Sequence, residues 1–335
     1  MRRGPRSGLF SIVAVHSTVR GPSLGGCRMW TYDDNRAAMR DALRLAEGMT
    51  YKSAVAGLPL GGGKGVIVLR PGRPLDAKAR RAALLDFGDA VQRLEGSYIT
   101  AEDVGTSTRD MTAIATRTPH VSGLSRRSGG SGDPSPFTAL GVVHAIEATV
   151  ERAFGSASLR GRSVAVVGLG HVGLRVARIL ARAGAKLVVA DIDRNKRDDA
   201  ARLGARWTTP DKAMAAPVDV LVPCALGAVL DHDTVPLLQA PAIAGAANNQ
   251  LASTDVSDLL RARGVLWAPD FVANAGGIVN IAVELEPGGY DPGRARSRTR
   301  EIGDTVRRIF DDAAASGASP LTAAMALARA NLAPR

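Results

Sequence analysis

Apolar runs of strand length and apolar positions at helical spacing alternate along this chain, and the pattern changes near its middle. Leu9–Val15 is an apolar run that predicts a buried strand. Asp34–Gly48 predicts a helix whose apolar face is Ala37, Ala38, Ala42, Leu43, Leu45 and Ala46. Val66–Leu69 predicts a short β-branched strand, and Lys78–Leu94 a helix carrying Ala82, Leu85, Phe87, Val91 and Leu94. Ser125–Pro136, with three Gly, two Pro and four Ser, reads as a hinge or loop and as the best domain boundary. A helix over Thr138–Phe154 follows. From Ser163 onward, short apolar runs recur at Val164–Val167, Leu187–Ala190, Val218–Val222, Ala242–Gly245 and Val265–Ala268, mostly separated by helical stretches. Strands alternating with helices imply an α/β fold with a parallel sheet. The segment from Tyr290 to the end is rich in Arg, Ala and Asp and reads as helical.

Composition narrows the classes. The 45% apolar content fills a core and excludes wholesale disorder. Only 4% of residues are aromatic while 37 are Gly, which suits close helix–sheet packing better than an aromatic-rich β-sandwich. Two cysteines, Cys27 and Cys224, cannot build a disulfide framework, and the five histidines show no ligand spacing, so no metal is expected. No run approaches the roughly 18 apolar residues of a membrane span. The basic start followed by Leu9–Val15 faintly resembles a signal peptide. The apolar part is short, runs into His16 and lacks a small-x-small cleavage site, so a strand and a cytoplasmic location are expected.

The net charge of +11 by itself suggests a nucleic-acid partner. The excess is spread through arginines with no aromatic interleaving, so neither a nucleic-acid nor a membrane partner is expected. Only six residues are lysine, and Lys52 and Lys64 lie close together in sequence beside Gly61-Gly62-Gly63, which reads as a turn. A phosphate-binding P-loop is excluded, because Leu58 and Gly65 occupy the positions where it needs Gly and Ser/Thr. Glycines before a lysine let backbone crowd a small ligand. One ammonium could hold a substrate carboxylate. The other, desolvated and near a like charge, could serve as a general base. Asp103, in Thr100-Ala-Glu-Asp103-Val-Gly-Thr106, could bind an ammonium, relay a proton, or cap the following turn.

Ser163–Gly173 is a strand running into Gly168-Leu169-Gly170-His171-Val172-Gly173, a dinucleotide-binding fingerprint. Gly168 permits the turn, Gly170 lets backbone approach a pyrophosphate, and Gly173 lets the next helix pack closely. Asp191, at the end of the second strand, is placed to accept from ribose hydroxyls and to repel a 2′-phosphate, which favours NAD over NADP; Arg194 lies nearby.

Gly21–Trp30, Glu47–Lys52, Gly57–Ile67, Tyr98–Thr106, Ser131–Thr138, Gly168–Gly173, Pro223–Gly227, Ala247–Gln250 and Ala268–Gly277 together resemble the leucine/valine/phenylalanine dehydrogenase family, amino acid dehydrogenases related to glutamate dehydrogenase. The resemblance runs in order through nearly the whole chain. It implies an N-terminal α/β substrate-binding and oligomerisation domain over residues 1–130. It implies a Rossmann-type NAD-binding domain over 131–289, a C-terminal helical segment over 290–335, and an active site in the cleft between the two domains. Lys64 would be the catalytic base and Asp103 would assist proton transfer at the amino group. Lys52 would pair with the substrate carboxylate, helped by the backbone at Gly25 and Gly26 and by Asn249. Asn248, Asp133 and Thr138 would lie on the nicotinamide side, with Cys224 and Ala225 lining the cofactor site. Leu24, Ala101, Ile278 and Ile281 would line an apolar side-chain pocket, which argues against glutamate and favours valine or leucine, with an aromatic substrate as the alternative. The implied reaction is reversible oxidative deamination of an apolar L-amino acid to its 2-oxo acid and ammonia by a homo-oligomer. Family members usually carry a further segment, used in subunit contacts, ahead of the position of Met1. Cys27 stands where Thr is common, and the Arg-rich loops expected at Ser125–Ser128 and Gly293–Arg300 are unusual.

Overall fold

The computed structural model describes residues 1–333. Its elements, in chain order, begin with β1 (Arg2–Arg3), β2 (Phe10–Ser17), β3 (Ser23–Thr31), α1 (Asn35–Val55), β4 (Gly61–Leu69), α2 (Ala77–Gln92), β5 (Tyr98–Glu102) and α3 (Thr108–Ala115). There follow α4 (Ser135–Phe154), β6 (Ser163–Val167), α5 (Gly173–Arg182), β7 (Lys186–Ala190), α6 (Arg197–Arg202), β8 (Arg206–Thr208), α7 (Pro210–Met214) and β9 (Val220–Pro223). Last come β10 (Ala242–Ile243), α8 (Val256–Ala262), β11 (Leu266–Trp267), α9 (Asp270–Ala273), α10 (Gly276–Glu284), α11 (Pro292–Ser316) and α12 (Pro320–Leu332). They form two compact units. The first holds Met1–Pro134, Asn280–Pro292 and the chain from Ala328 on; the second holds Ser135–Val279 and Gly293–Leu327. The segment expected as a separate C-terminal piece, 290–335, is therefore distributed over both.

The first unit is built on a five-stranded mixed sheet of order β1-β2-β4-β3-β5. β2 runs antiparallel to β1 and β4, while β3 runs parallel to β4 and β5. On one face, Ala38, Ala42 and Ala46 of α1 pack against Ile12, Ala14, Val66 and Val68. Small side chains every fourth residue let this helix lie close to the sheet. On the other face, Phe87 and Val91 of α2 and Met111 and Ile114 of α3 pack on Cys27, Met29, Ile67 and Tyr98.

Two readings of the sequence are corrected here. The helix expected to end at Gly48 runs on to Val55, because Thr50, Ser53 and Ala54 extend its buried stripe. Asp34 caps its start by accepting from the Ala37 amide at 2.6 Å. Gly61-Gly62-Gly63 is no turn: the three glycines open strand β4. A β-carbon on Gly62 would sit 2.1 Å from the Thr50 nitrogen, and one on Gly63 2.7 Å from the Tyr98 ring, so close packing on both faces explains the run.

The Gly/Ser-rich break is ordered by its surroundings. Arg126–Ser128 form a single 3₁₀ turn, and Glu284 accepts from the Gly123 amide at 3.0 Å and the Ser131 amide at 2.7 Å. The expected Arg-rich loop Gly293–Arg300 is instead the first part of α11, anchored by buried Ala295 and Thr299.

The second unit carries a six-stranded, wholly parallel sheet of order β11-β10-β9-β6-β7-β8. β8 is too short and too polar to stand out in the sequence. Read from its far edge, this is the doubly wound 3-2-1-4-5-6 order, and the switch point where such sheets bind ligands lies at the C-terminal end of β6. Among the described residues, no helix is long and apolar enough to cross a membrane.

Candidate active site

In the first unit, side chains alternate between faces along β3, β4 and β5. Cys27, Met29, Ile67 and Tyr98 enter the core under α2 and α3. The alternate positions, Leu24, Arg28, Lys64 and Ala101, therefore lie on the face covered by α1, and Asp103 follows the end of β5 on that same side. Lys64 is 5% exposed. Its Nζ donates to Asp103 Oδ2 at 2.7 Å, and Arg28 Nε donates to the same oxygen at 3.0 Å. The carboxylate is thus an ion-pair partner and not the cap of the following turn. That turn is held by backbone and Thr106 instead, with Thr106 Oγ1 accepting from the Asp103 amide at 3.0 Å.

Charges set the protonation of this pair. Burial holds the Lys64 ammonium below its ordinary value; Asp103 opposes that and Arg28, a like charge, reinforces it. Burial pushes the Asp103 carboxyl up, but Lys64 and Arg28 outweigh it and keep the acid below the usual carboxylate range. The arrangement is an ionised carboxylate beside a lysine whose proton is held less tightly than usual, the direction that general-base chemistry needs.

The glycines have packing reasons of their own. A β-carbon on Gly25 would lie 1.7 Å from the Gly63 carbonyl oxygen, and one on Gly26 would lie 2.7 Å from Asp103 Cβ. Without them β3 could not approach β4 and β5 closely enough to seat Asp103. Lys52 is half-buried in the last turn of α1, the helix that packs on β4. Leu24, Ala101 and Ile281 of this unit are buried, at 1%, 3% and 8% exposure. Ile278, in the first half of α10, belongs to the second unit and is buried as well. Asp133 is exposed at the end of the first unit, and Thr138 is in the first turn of α4.

The sequence reading missed Arg28 and Asp41. The like charge beside Lys64 is Arg28, which also donates from Nη1 to Asp41 Oδ2 at 3.0 Å. The available signal was the alternation that sets Arg28 on the face of Leu24 and Ala101.

In the second unit, Gly168 (φ +102°) turns the chain at the end of β6. A β-carbon there would meet Ala225 at 2.8 Å, and one on Gly173 would meet the Gly168 carbonyl oxygen at 1.9 Å and Cys224 Cβ at 2.9 Å. Gly170 has open space around its missing side chain. Two glycines therefore serve packing, and the third leaves room for a ligand against bare backbone at the N-terminus of α5. Asp191 Oδ2 accepts from the Leu169 amide at 2.6 Å, tying the second strand end to the glycine turn, while His171 and Val172 lead into the helix. A cavity of about 610 Å³ opens here, lined by Gly168, Gly170, Asp191, Ile192, Ala225 and Leu226. Its walls are largely apolar and carry the carboxylates of Asp191, Asp211 and Asp231, of which Asp191 stands at the glycine turn, where the ribose hydroxyls of a nucleoside would meet it.

Beyond β10, Asn249 adopts φ +52° and its carbonyl accepts from the Ala228 amide at 2.6 Å. Asn274, another residue the sequence reading passed over, donates to Asn248 Oδ1 at 2.9 Å and to the Ala246 carbonyl at 3.1 Å. It fixes the orientation of Asn248.

The family model described as Glu/Leu/Phe/Val dehydrogenase, dimerisation domain, matches residues 1–120. That of Glutamate/Leucine/Phenylalanine/Valine dehydrogenase matches 129–196 and 191–328. The leucine dehydrogenase of Bacillus subtilis (strain 168) is 45% identical over 324 residues, covering 96% of this chain and 87% of that protein. An L-tryptophan dehydrogenase from Nostoc punctiforme has a crystal structure similar to this chain with a TM-score of 0.84 and 38% identity, covering 97% of this chain and 93% of that one. A hetero-hexameric glutamate dehydrogenase from Thermus thermophilus is similar with a TM-score of 0.81 and 26% identity, covering 97% and 83%. Taken with the buried lysine–carboxylate pair and the glycine turn of the parallel sheet, these matches place the chain in the Glu/Leu/Phe/Val dehydrogenase family of NAD(P)-dependent amino acid dehydrogenases.

Proposed function

We propose that this enzyme oxidatively deaminates an apolar L-amino acid, valine or leucine in preference, with NAD, giving the 2-oxo acid and ammonia reversibly. The observation that carries the reading is the buried Lys64 ammonium, 2.7 Å from an ionised Asp103. Lys52 holds the substrate carboxylate, with the backbone of Gly25 and Gly26 beside it. A bound nicotinamide would supply the acceptor for the hydride of the substrate Cα. Neutral Lys64 takes a proton from water as that water attacks the resulting imine carbon. Asp103 accepts a hydrogen bond from the amino group through Oδ1, the oxygen that neither cation takes, and relays to the departing nitrogen the proton that Lys64 took from water. Collapse of the carbinolamine then releases ammonia and the oxo acid.

Leu24, Ala101 and Ile281 of the first unit present only hydrocarbon, so a glutamate carboxylate placed against them would be buried without a partner. Asp191 disfavours a 2′-phosphate, supporting NAD. Reduced-nicotinamide absorbance, followed over valine, leucine, isoleucine, phenylalanine, tryptophan and glutamate with NAD and NADP side by side, tests this. Valine or leucine with NAD is expected to give the highest kcat/KM, about tenfold above the aromatic amino acids, with glutamate at background. Highest activity on phenylalanine or tryptophan would replace the aliphatic reading with the aromatic one favoured by the tryptophan dehydrogenase relative. No turnover on any of them would end the reading altogether.

The same reading makes the protein a homo-oligomer. It is supported by the dimerisation-domain description of the model matching residues 1–120 and by the hexameric state of the Thermus enzyme. Light scattering in solution is expected to give a multiple of the 34.8 kDa chain; a monomer at assay concentrations contradicts it.

A further inference from the structure

Lys64 and Asp103 do not stand alone. They are the inner end of a chain of charged hydrogen bonds that crosses the sheet face to α1. Arg28 bridges two carboxylates, donating from Nε to Asp103 Oδ2 at 3.0 Å and from Nη1 to Asp41 Oδ2 at 3.0 Å. Asp41 is held in turn by Tyr32, whose hydroxyl donates to Oδ2 at 2.7 Å, and by Arg44, whose Nη2 donates to Oδ1 at 2.9 Å. The Arg28 side chain is 22% exposed and that of Asp41 17%, so neither is fully screened by water. The fixed planar fork of an arginine suits this double engagement, which a lysine ammonium would make without directional control.

We propose that Arg28 is a positioning residue of the site, clamped by Asp41 so that it claims the same Asp103 oxygen as Lys64 and thereby sets the charge state of that lysine. The inference rests on the catalytic reading of Lys64 and deepens it. The reason is competition. With Arg28 present, Asp103 Oδ2 is shared between two cations and gives each less stabilisation, while the guanidinium itself repels a protonated Lys64. Both effects favour the neutral amine. Lys52, half-buried in the last turn of α1, is a second cation of the helix that covers this face, and the groups on the flanking strands and on α2 and α3 work less directly. Cys27, on β3, faces the opposite core and stays a thiol because burial pushes it up. Glu102, on β5, accepts from Thr108 Oγ1 at 2.9 Å. Arg80 of α2 and Asp110 of α3 pair with each other at 2.7 Å beyond Met29. Tyr98 donates to the Gly25 carbonyl at 2.5 Å and is held neutral by burial. Arg28 is thus the cation that touches the carboxylate Lys64 depends on.

The test reads Lys64 directly. With only six lysines in the chain, the side-chain carbon resonances of isotopically labelled lysine can be followed through a pH titration, and the signal lost in Lys64→Ala assigns Lys64. Arg28→Met is expected to raise the Lys64 midpoint by about one pH unit, a tenfold fall in its neutral fraction at fixed pH. The ascending limb of kcat/KM for deamination, which reports the base, should move up by the same amount. Arg28→Lys, the variant most certain to fold, should bring the midpoint part of the way back. Asp41→Asn should shift it the opposite way, down, because Arg28 then acts on the pair without its outer counter-charge. A Lys64 midpoint unmoved in Arg28→Met, or moved the same way by Arg28→Met and Asp41→Asn, overturns the inference. A uniform loss of kcat at every pH with no change of midpoint also overturns it, since that marks a merely structural arginine. Because the resonance needs no turnover, an inactive wild-type protein whose Lys64 midpoint still responds would sink the catalytic reading and leave the electrostatic one standing.

Discussion

Lys64→Ala is expected to lower kcat for amino acid deamination by about a thousandfold while leaving dinucleotide affinity within a factor of two or so. The asymmetry follows from placement. Lys64 is on β4 of the first unit, whereas the glycine turn and Asp191 belong to the second. The alanine cannot take a proton from water at the imine carbon, and Asp103 is a poor substitute, since Arg28 keeps it ionised well below neutral pH and so weakly basic. The pH profile should change with the rate. In the wild type, deamination rises with pH as Lys64 loses its proton, over a range lowered from that of an ordinary lysine by burial and Arg28. In the variant that limb disappears. Steady-state kinetics over pH, with dinucleotide titrated by fluorescence, reads both. A kcat within tenfold of wild type, with the limb intact, would remove Lys64 from the mechanism.

The second large effect concerns the backbone that seats this chemistry. Gly25→Ala is expected to destabilise the first unit by about 3 kcal/mol or more, because the new methyl meets the Gly63 carbonyl at 1.7 Å, and backbone cannot move aside as a side-chain tip can. β3 and β4 would have to part beside Lys64, so activity should fall with stability. Gly48→Ala is the control of opposite sign. Gly48 is exposed within α1 with nothing near its missing side chain, so alanine there is expected to stabilise by about 0.5–1 kcal/mol through helix propensity and lost unfolded-state freedom. Urea denaturation of both variants checks the pair. An unchanged midpoint for Gly25→Ala would mean that the strands are less closely joined than described.

The parallel sheet of the second unit was legible because its strands are short apolar runs that recur between helical stretches, and because Gly168, Gly170 and Gly173 follow one of them. The first unit was harder to read. Gly61-Gly62-Gly63 has a turn composition but a strand conformation, since the ring of Tyr98 and the backbone of Thr50 fill the room that side chains would need. Sequence alone sees glycine's freedom; it does not see the neighbour that demands glycine. The same holds for α1, whose continuation past Gly48 depends on burial of Thr50, Ser53 and Ala54.

By itself, then, the sequence determined the α/β class, the dinucleotide turn, the scarcity that singled out Lys52 and Lys64, and the candidate acid Asp103. These are local matters of spacing and residue type, and period-2 and period-3.6 patterns encode them directly. Which cation stands beside Lys64 was decided only by tertiary structure. Arg28, Lys64, Asp103 and Asp41 come from three strand segments and a helix, far apart along the chain, and meet because sheet register and the approach of α1 place them on one face. Electrostatic coupling depends on distance and burial, which are properties of the folded sheet and not of residue order.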